Sequence, residues 1–125
     1  MTVAADGECA VDGDADGLRS VVENVLRNAV RFSSEGGTVE VTVGREGADA
    51  AVYVRDRGPG VPEEHLGDLF QPFFRVEEAR DRQRGGAGLG LAIAERTVRL
   101  HRGSIVARNR AGGGLEVEIR LPAAP

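Results

Sequence analysis

Lysine is missing from this chain altogether, and cysteine nearly so: every one of the 16 basic residues is arginine, and Cys9 is the single thiol. One cysteine cannot form an internal disulfide, so nothing ties the sequence to a secreted disulfide scaffold. The lack of lysine excludes any mechanism that needs one, the phosphate-binding lysine of a P-loop included. Coding bias toward arginine accounts for it better than function does. Positive charge is not in excess either. The 16 Arg face 20 Asp and Glu, for a net charge of −4, which argues against a nucleic-acid groove. No apolar run approaches the ~20 residues of a membrane span. Residues 1–7 are short and acidic, unlike a signal peptide. The expectation is a soluble, cytoplasmic unit with no direct membrane contact.

What is present is globular. The chain has 125 residues, 41% hydrophobic and 29% charged, enough for one domain with its own core. Residues 1–13 read as irregular, with a short strand at 8–11. Asp14 is placed as an N-cap, its carboxylate accepting from first-turn amides. Leu18, Val21, Val22, Val25, Leu26, Ala29 and Val30 then recur at helical spacing and make one apolar face, ending near Ser33. Val39, Val41 and Val43 alternate with polar residues, as do Val52 and Val54, predicting two strands joined by a hairpin loop at 45–49. A short helix is expected at 62–69 and a longer one at 89–101. Two more strands follow at 104–109 and 115–121, with Leu115, Val117, Ile119 and Leu121 inward. Alternation on one face of several strands predicts an antiparallel or mixed sheet with helices on one side only.

Three segments carry chemistry. On the first helix Asn24, Asn28 and Arg31 sit at i, i+4 and i+7, a stripe flanking the apolar face. Two amide oxygens and a guanidinium there suit a metal-bound polyphosphate, since Mg²⁺ takes few protein oxygens and keeps waters and phosphates. A solvated helix flank explains the same stripe. Glu23, a possible base by type, falls about 100° from Asn24 around the helix and reads as surface charge. Asp56 shares parity with Val52 and Val54, so it points inward, where a carboxylate is costly unless something bonds it. With Gly58-Pro59-Gly60 behind it, it reads either as the acceptor for an adenine amine or as a cap on a Pro/Gly turn. Gly86, Gly88 and Gly90 open the late helix, where bare amides and the helix dipole favour an anion. The spacing is neither P-loop nor Rossmann. A hinge would use the same glycines. His65 and His101 lack ligand-spaced partners and read as surface residues. Residues 71–86 form a long arginine-rich stretch, more in keeping with a lid than a connector.

These residues resemble the catalytic and ATP-binding domain of two-component sensor histidine kinases over residues 11–122. Asn24-Val25-Leu26-Arg27-Asn28-Ala29 looks like the N box and Asp56-Arg57-Gly58-Pro59-Gly60 the G1 box. Leu69-Phe70-Gln71-Pro72-Phe73-Phe74-Arg75 looks like the F box and Gly86-Ala87-Gly88-Leu89-Gly90-Leu91 the G2 box. The run Glu78-Ala79-Arg80-Asp81-Arg82 resembles kinases of the Cpx type. The resemblance implies an α+β two-layer Bergerat fold: a mixed, mostly antiparallel sheet of about five strands with three helices on one face. It implies ATP and Mg²⁺ as cofactors, with Asn28 on the metal and Asn24 beside it. Arg31 and Arg75 would meet phosphate, Phe32 the adenine ring and Asp56 its amine. Gly58 and Gly60 would shape that pocket; Gly86, Gly88, Leu89 and Gly90 would hold the lid end and phosphates. Hydrolases of the related gyrase type carry Glu four residues before the metal Asn. Here that position is Asn24, which cannot take a proton, so transfer is expected over hydrolysis.

Ala87 and Arg102 depart from the pattern, standing where Thr or Ser and Gly are usual. No segment resembles the family's histidine acceptor. The expected partners are therefore the histidine-containing dimerisation domain of a parent kinase anchored in the inner membrane and, indirectly, a response regulator. The chain itself is expected to be a monomeric single domain. An anti-sigma-type serine kinase and a non-catalytic nucleotide sensor are the competing readings.

Overall fold

The computed structural model describes residues 2–6, 10–33, 37–74 and 89–124, with side chains from residue 10 onward. Five strands form one sheet in the order β1-β2-β3-β5-β4. They are β1 (Thr2–Asp6), β2 (Glu40–Glu46), β3 (Asp49–Arg55), β4 (Ser104–Asn109) and β5 (Leu115–Pro122). β1 pairs parallel to β2, and every other pairing is antiparallel. Helices α1 (Ala15–Phe32) and α2 (Gly90–Leu100) share one face with two 3-10 turns, Glu63–His65 and Gly67–Phe70. The mixed two-layer α+β architecture is the expected one.

Three expectations change in detail. The first described strand lies at Thr2–Asp6, ahead of the expected 8–11, because a parallel edge strand is chosen by its long-range register with Glu40 to Gly44, which local sequence does not carry. Residues 8 and 9 lie outside the described residues; Ala10 is not in a strand, and its carbonyl accepts from the Ala124 amide. The helix expected at 62–69 is two short 3-10 pieces. The hairpin loop at 45–49 is tighter than read: the strands run to Glu46 and from Asp49, with Gly47 in the left-handed region at φ 63°.

α1 begins as the sequence predicts, with the Asp14 carboxylate accepting from the Gly17 amide. Val21, Val25 and Ala29 meet Leu91, Ala94 and Val98 of α2 over Val41, Val54, Val117 and Ile119 of the sheet. The opposite sheet face is ionic. Arg108 bridges Glu116 and Glu118, and Arg120 bridges Glu118 and Glu46, which uses the planar fork of arginine. Burial works against the charge of Glu118. Hydrogen bonds from Arg120 and Arg108 outweigh it and hold the carboxyl below its usual range.

α2 ends in a Schellman motif, with Gly103 N–H donating to Val98 and Arg102 N–H to Arg99. The αL position of that motif is occupied by Arg102, at φ 63°. The departure seen in sequence is therefore a strained backbone. Arg102→Gly is expected to stabilise the fold by about 1 kcal/mol, from the usual cost of a side chain in the left-handed region. Urea unfolding reads it, and a loss of stability would count against strain at this residue. His101, read as a surface residue, is half-buried and ties the two helices: its Nδ1 faces Thr97 O and its Nε2 accepts from Asp14 N–H.

Candidate functional site

α1 acts as a ruler along the site. Near its middle, Asn24 faces the start of α2, where a Cβ on Gly90 would lie 3.4 Å from the Asn24 Oδ1. At its end, the Phe32 carbonyl presses on the G1 segment, where a Cβ on Gly58 would lie only 1.9 Å away. Eight residues at 1.5 Å rise separate these points, about 12 Å, the scale of an extended nucleoside triphosphate. The first helix thus touches the described start of the late helix at Gly90 and the segment after Asp56 at Gly58.

Asn28 lies between them on the buried side of α1, 8% exposed, and has no hydrogen-bond partner among the described residues. Asn24 is half-exposed and donates only to Ser20 Oγ, at 3.3 Å. Among the described residues no fully buried side-chain polar atom lacks a partner, so the unpartnered Asn28 amide keeps some access to solvent. A buried amide without a bond costs stability, which makes this position conspicuous on a helix. Arg31 is half-exposed in the last turn and has a polar interaction of its own. Phe32 is half-buried and stands outside the apolar cluster. Glu23 is exposed, as its helical angle requires.

Asp56 directly follows β3 and is 2% exposed. Its Oδ1 accepts from two backbone amides, Gly58 at 2.9 Å and Leu115 at 3.1 Å. Its Oδ2 has no hydrogen-bond partner among the described residues. The turn-capping reading is thus met by Oδ1, and Oδ2 is not used by that cap. Burial raises the Asp56 pKa above the ordinary carboxylate range, against the pull of the two amides and of Arg110. Arg110 Nη1 also donates to the Asp56 carbonyl at 2.8 Å. Gly60 takes φ 76°, and a Cβ there would meet Asn109 Oδ1 at 2.7 Å.

Sequence reasoning missed the part played by the β4–β5 hairpin. Asn109 reaches Val61, and Arg110 and the Leu115 amide reach Asp56, from about fifty residues away in sequence, with separations of 48, 54 and 59. No local pattern marks such contacts. Leu89 and Gly90 sit at the α2 start. Arg75, Gly86 and Gly88 lie outside the described residues, as do Ala87 and the other lid arginines. His65 pairs with Asp68 at 3.4 Å, and no cluster of three or more His, Cys, Asp or Glu able to hold a metal occurs among the described residues. A cation here would depend on amide oxygen and on the ligand's own oxygens. No helix among the described residues is long and apolar enough to cross a membrane.

Comparison with known proteins gives the family of the chain. Residues 13–125 match the family described as histidine kinase-, DNA gyrase B-, and HSP90-like ATPase. The sensor histidine kinase CpxA of Escherichia coli is 44% identical over 110 residues, covering 88% of this chain and 24% of that protein. The chain thus spans about a quarter of that relative's length. Among solved structures, the mycobacterial sensor histidine kinase MprB superposes with a TM-score of 0.86 at 33% identity, over 99% of this chain and 81% of that one. Full-length ShkA in complex with AMPPNP gives 0.79 at 31% identity, over 98% of this chain and 26% of that one.

Proposed function

Because the chain belongs to the histidine kinase-, DNA gyrase B-, and HSP90-like ATPase family, we propose that it binds Mg·ATP along α1 and presents the γ-phosphoryl group to a histidine on a separate acceptor domain. The observation that carries this reading is the divided carboxylate of Asp56. Oδ1 is held by two amides while Oδ2 has no partner among the described residues, an acceptor suited to an exocyclic amine. That ShkA is solved with AMPPNP supports the ligand class.

In this reading Phe32 packs on the purine, and Gly58 and Gly60 let it approach the backbone. Asn28 offers its unpartnered amide oxygen to Mg²⁺, a hard ligand for a hard cation, with Asn24 alongside. Bound there, the ion would neutralise charge on the β- and γ-phosphates. Leu89 and Gly90 lead into α2, whose positive end favours the phosphates. Gly86, Gly88, Arg31 and Arg75 complete the phosphate end. The chain supplies no carboxylate at position 24, so water is not activated and the phosphoryl group persists until an acceptor arrives. The acceptor would be the dimerisation domain of a parent sensor kinase, with a response regulator downstream. The reading treats residues 1–125 as one nucleotide-binding domain.

The test supplies the chain with γ-labelled ATP, Mg²⁺ and a purified histidine-bearing dimerisation domain from the parent kinase. Label on that domain, lost in acid, is the expected result. Acid-stable label would point to serine transfer, and ATP binding without label to a nucleotide sensor.

A further inference from the structure

We propose that Asn109 is a positioning residue that clamps the segment after Asp56 and so sets the adenine acceptor; this rests on the adenine reading above. Its side-chain amide pairs with the backbone of a single residue in both directions. Val61 N–H donates to Oδ1 at 2.9 Å, and Nδ2 donates to the Val61 carbonyl at 2.6 Å. The side chain thereby imitates a strand partner and adds one more bridge to the sheet beyond the end of β4. Val61 is buried at 5% exposure, whereas Asn109 is exposed. The bond therefore runs from an outer hairpin to the inner wall of the site.

Among the described residues, this flank of the segment is left open. The clamp lines an open cavity of about 420 Å³ with Pro59, Gly60, Pro62 and Arg110. On this open flank the hydrogen bonds restrain the segment, while the Val61 side chain joins the core on the other. Gly60 fits the same arrangement, because any Cβ there would strike Asn109 Oδ1. Arg110, the next residue, holds the Asp56 carbonyl, so consecutive side chains grip both ends of the turn that aims Oδ2. Without the clamp the turn samples other arrangements, and ligand binding must order it.

Asn109→Ala and the isosteric Asn109→Asp test this. The aspartate keeps an acceptor for Val61 N–H but sets a second acceptor against the Val61 carbonyl. Two readouts are taken: ATP-analogue affinity by calorimetry, and hydrogen exchange at the Val61 amide with β3 amides as reference. Both variants are expected to bind about tenfold more weakly, the effect of two modest hydrogen bonds. Both should lose protection at Val61 and keep it in β3. A packing role would spare the isosteric aspartate. Affinity within twofold of the parent, or unchanged Val61 protection, overturns the clamp alone. Unfolding of both variants would make Asn109 a structural strut and overturn it too. A parent chain that binds no adenine nucleotide overturns the adenine reading together with the clamp.

Discussion

Asp56→Asn is expected to lower ATP affinity by about a hundredfold, or about 2.7 kcal/mol, the worth of a charge-assisted hydrogen bond replaced by opposed donors. The same substitution should leave the fold as stable as before or more so. The two effects separate because the two oxygens do different work. Asparagine can keep a carbonyl oxygen under the Gly58 and Leu115 amides, so the turn survives. It then turns an NH₂ toward the ligand where an acceptor was.

Stability moves the other way through linkage. Burial raises the folded pKa of Asp56, so the charged form is penalised in the native state. The native state holds the proton longer than the unfolded chain does. Stability contributed at this site is thus highest below the unfolded carboxylate pKa of about 4 and falls as pH rises toward the raised folded value. The variant escapes that loss, so any advantage appears at neutral pH and vanishes in acid. Wild-type affinity should also weaken on acidification sooner than an ordinary carboxylate predicts, since a protonated Oδ2 stops accepting. Calorimetric titration with urea unfolding across pH checks all three. Undiminished affinity in Asp56→Asn would remove this residue from the site.

Gly58→Ala is the second large effect, and it strikes both fold and binding. The added methyl would sit 1.9 Å from the Phe32 carbonyl oxygen and 2.8 Å from its carbon, and both are backbone. Neither α1 nor the turn can yield cheaply, so a loss of about 1–3 kcal/mol is expected from overpacking. The glycine is required for space and not for dihedral freedom, since Gly58 is not among the positive-φ residues. As the turn moves from the helix end, the Gly58 amide leaves Asp56 Oδ1 and nucleotide affinity should fall by roughly tenfold, one charge-assisted bond. Gly67→Ala is the control: nothing lies within 4 Å of its added carbon, and its φ is ordinary. Equal destabilisation by the two substitutions would show that steric contact with Phe32 is not the cause.

The amphipathic helix, the inward Asp56, the outward Glu23 and the alternation of β5 were all legible in the sequence, because period and parity are local properties of the chain. So was the family, from four boxes in order. Asn28 and Asn24 look alike in sequence, yet only the tertiary structure buries the first and leaves its amide without a partner among the described residues. The same holds for Asp56: direction came from parity, but the division of labour between Oδ1 and Oδ2 needed the Leu115 amide of a distant strand. The parallel strand β1, the strain at Arg102 and the Asn109 clamp were decided by tertiary structure alone. The strand and the clamp depend on which segments the folded sheet brings side by side, and hydrogen bonds between residues remote in sequence leave no periodic trace along the chain; Arg102 stood out in the sequence, but only the backbone shows its left-handed φ.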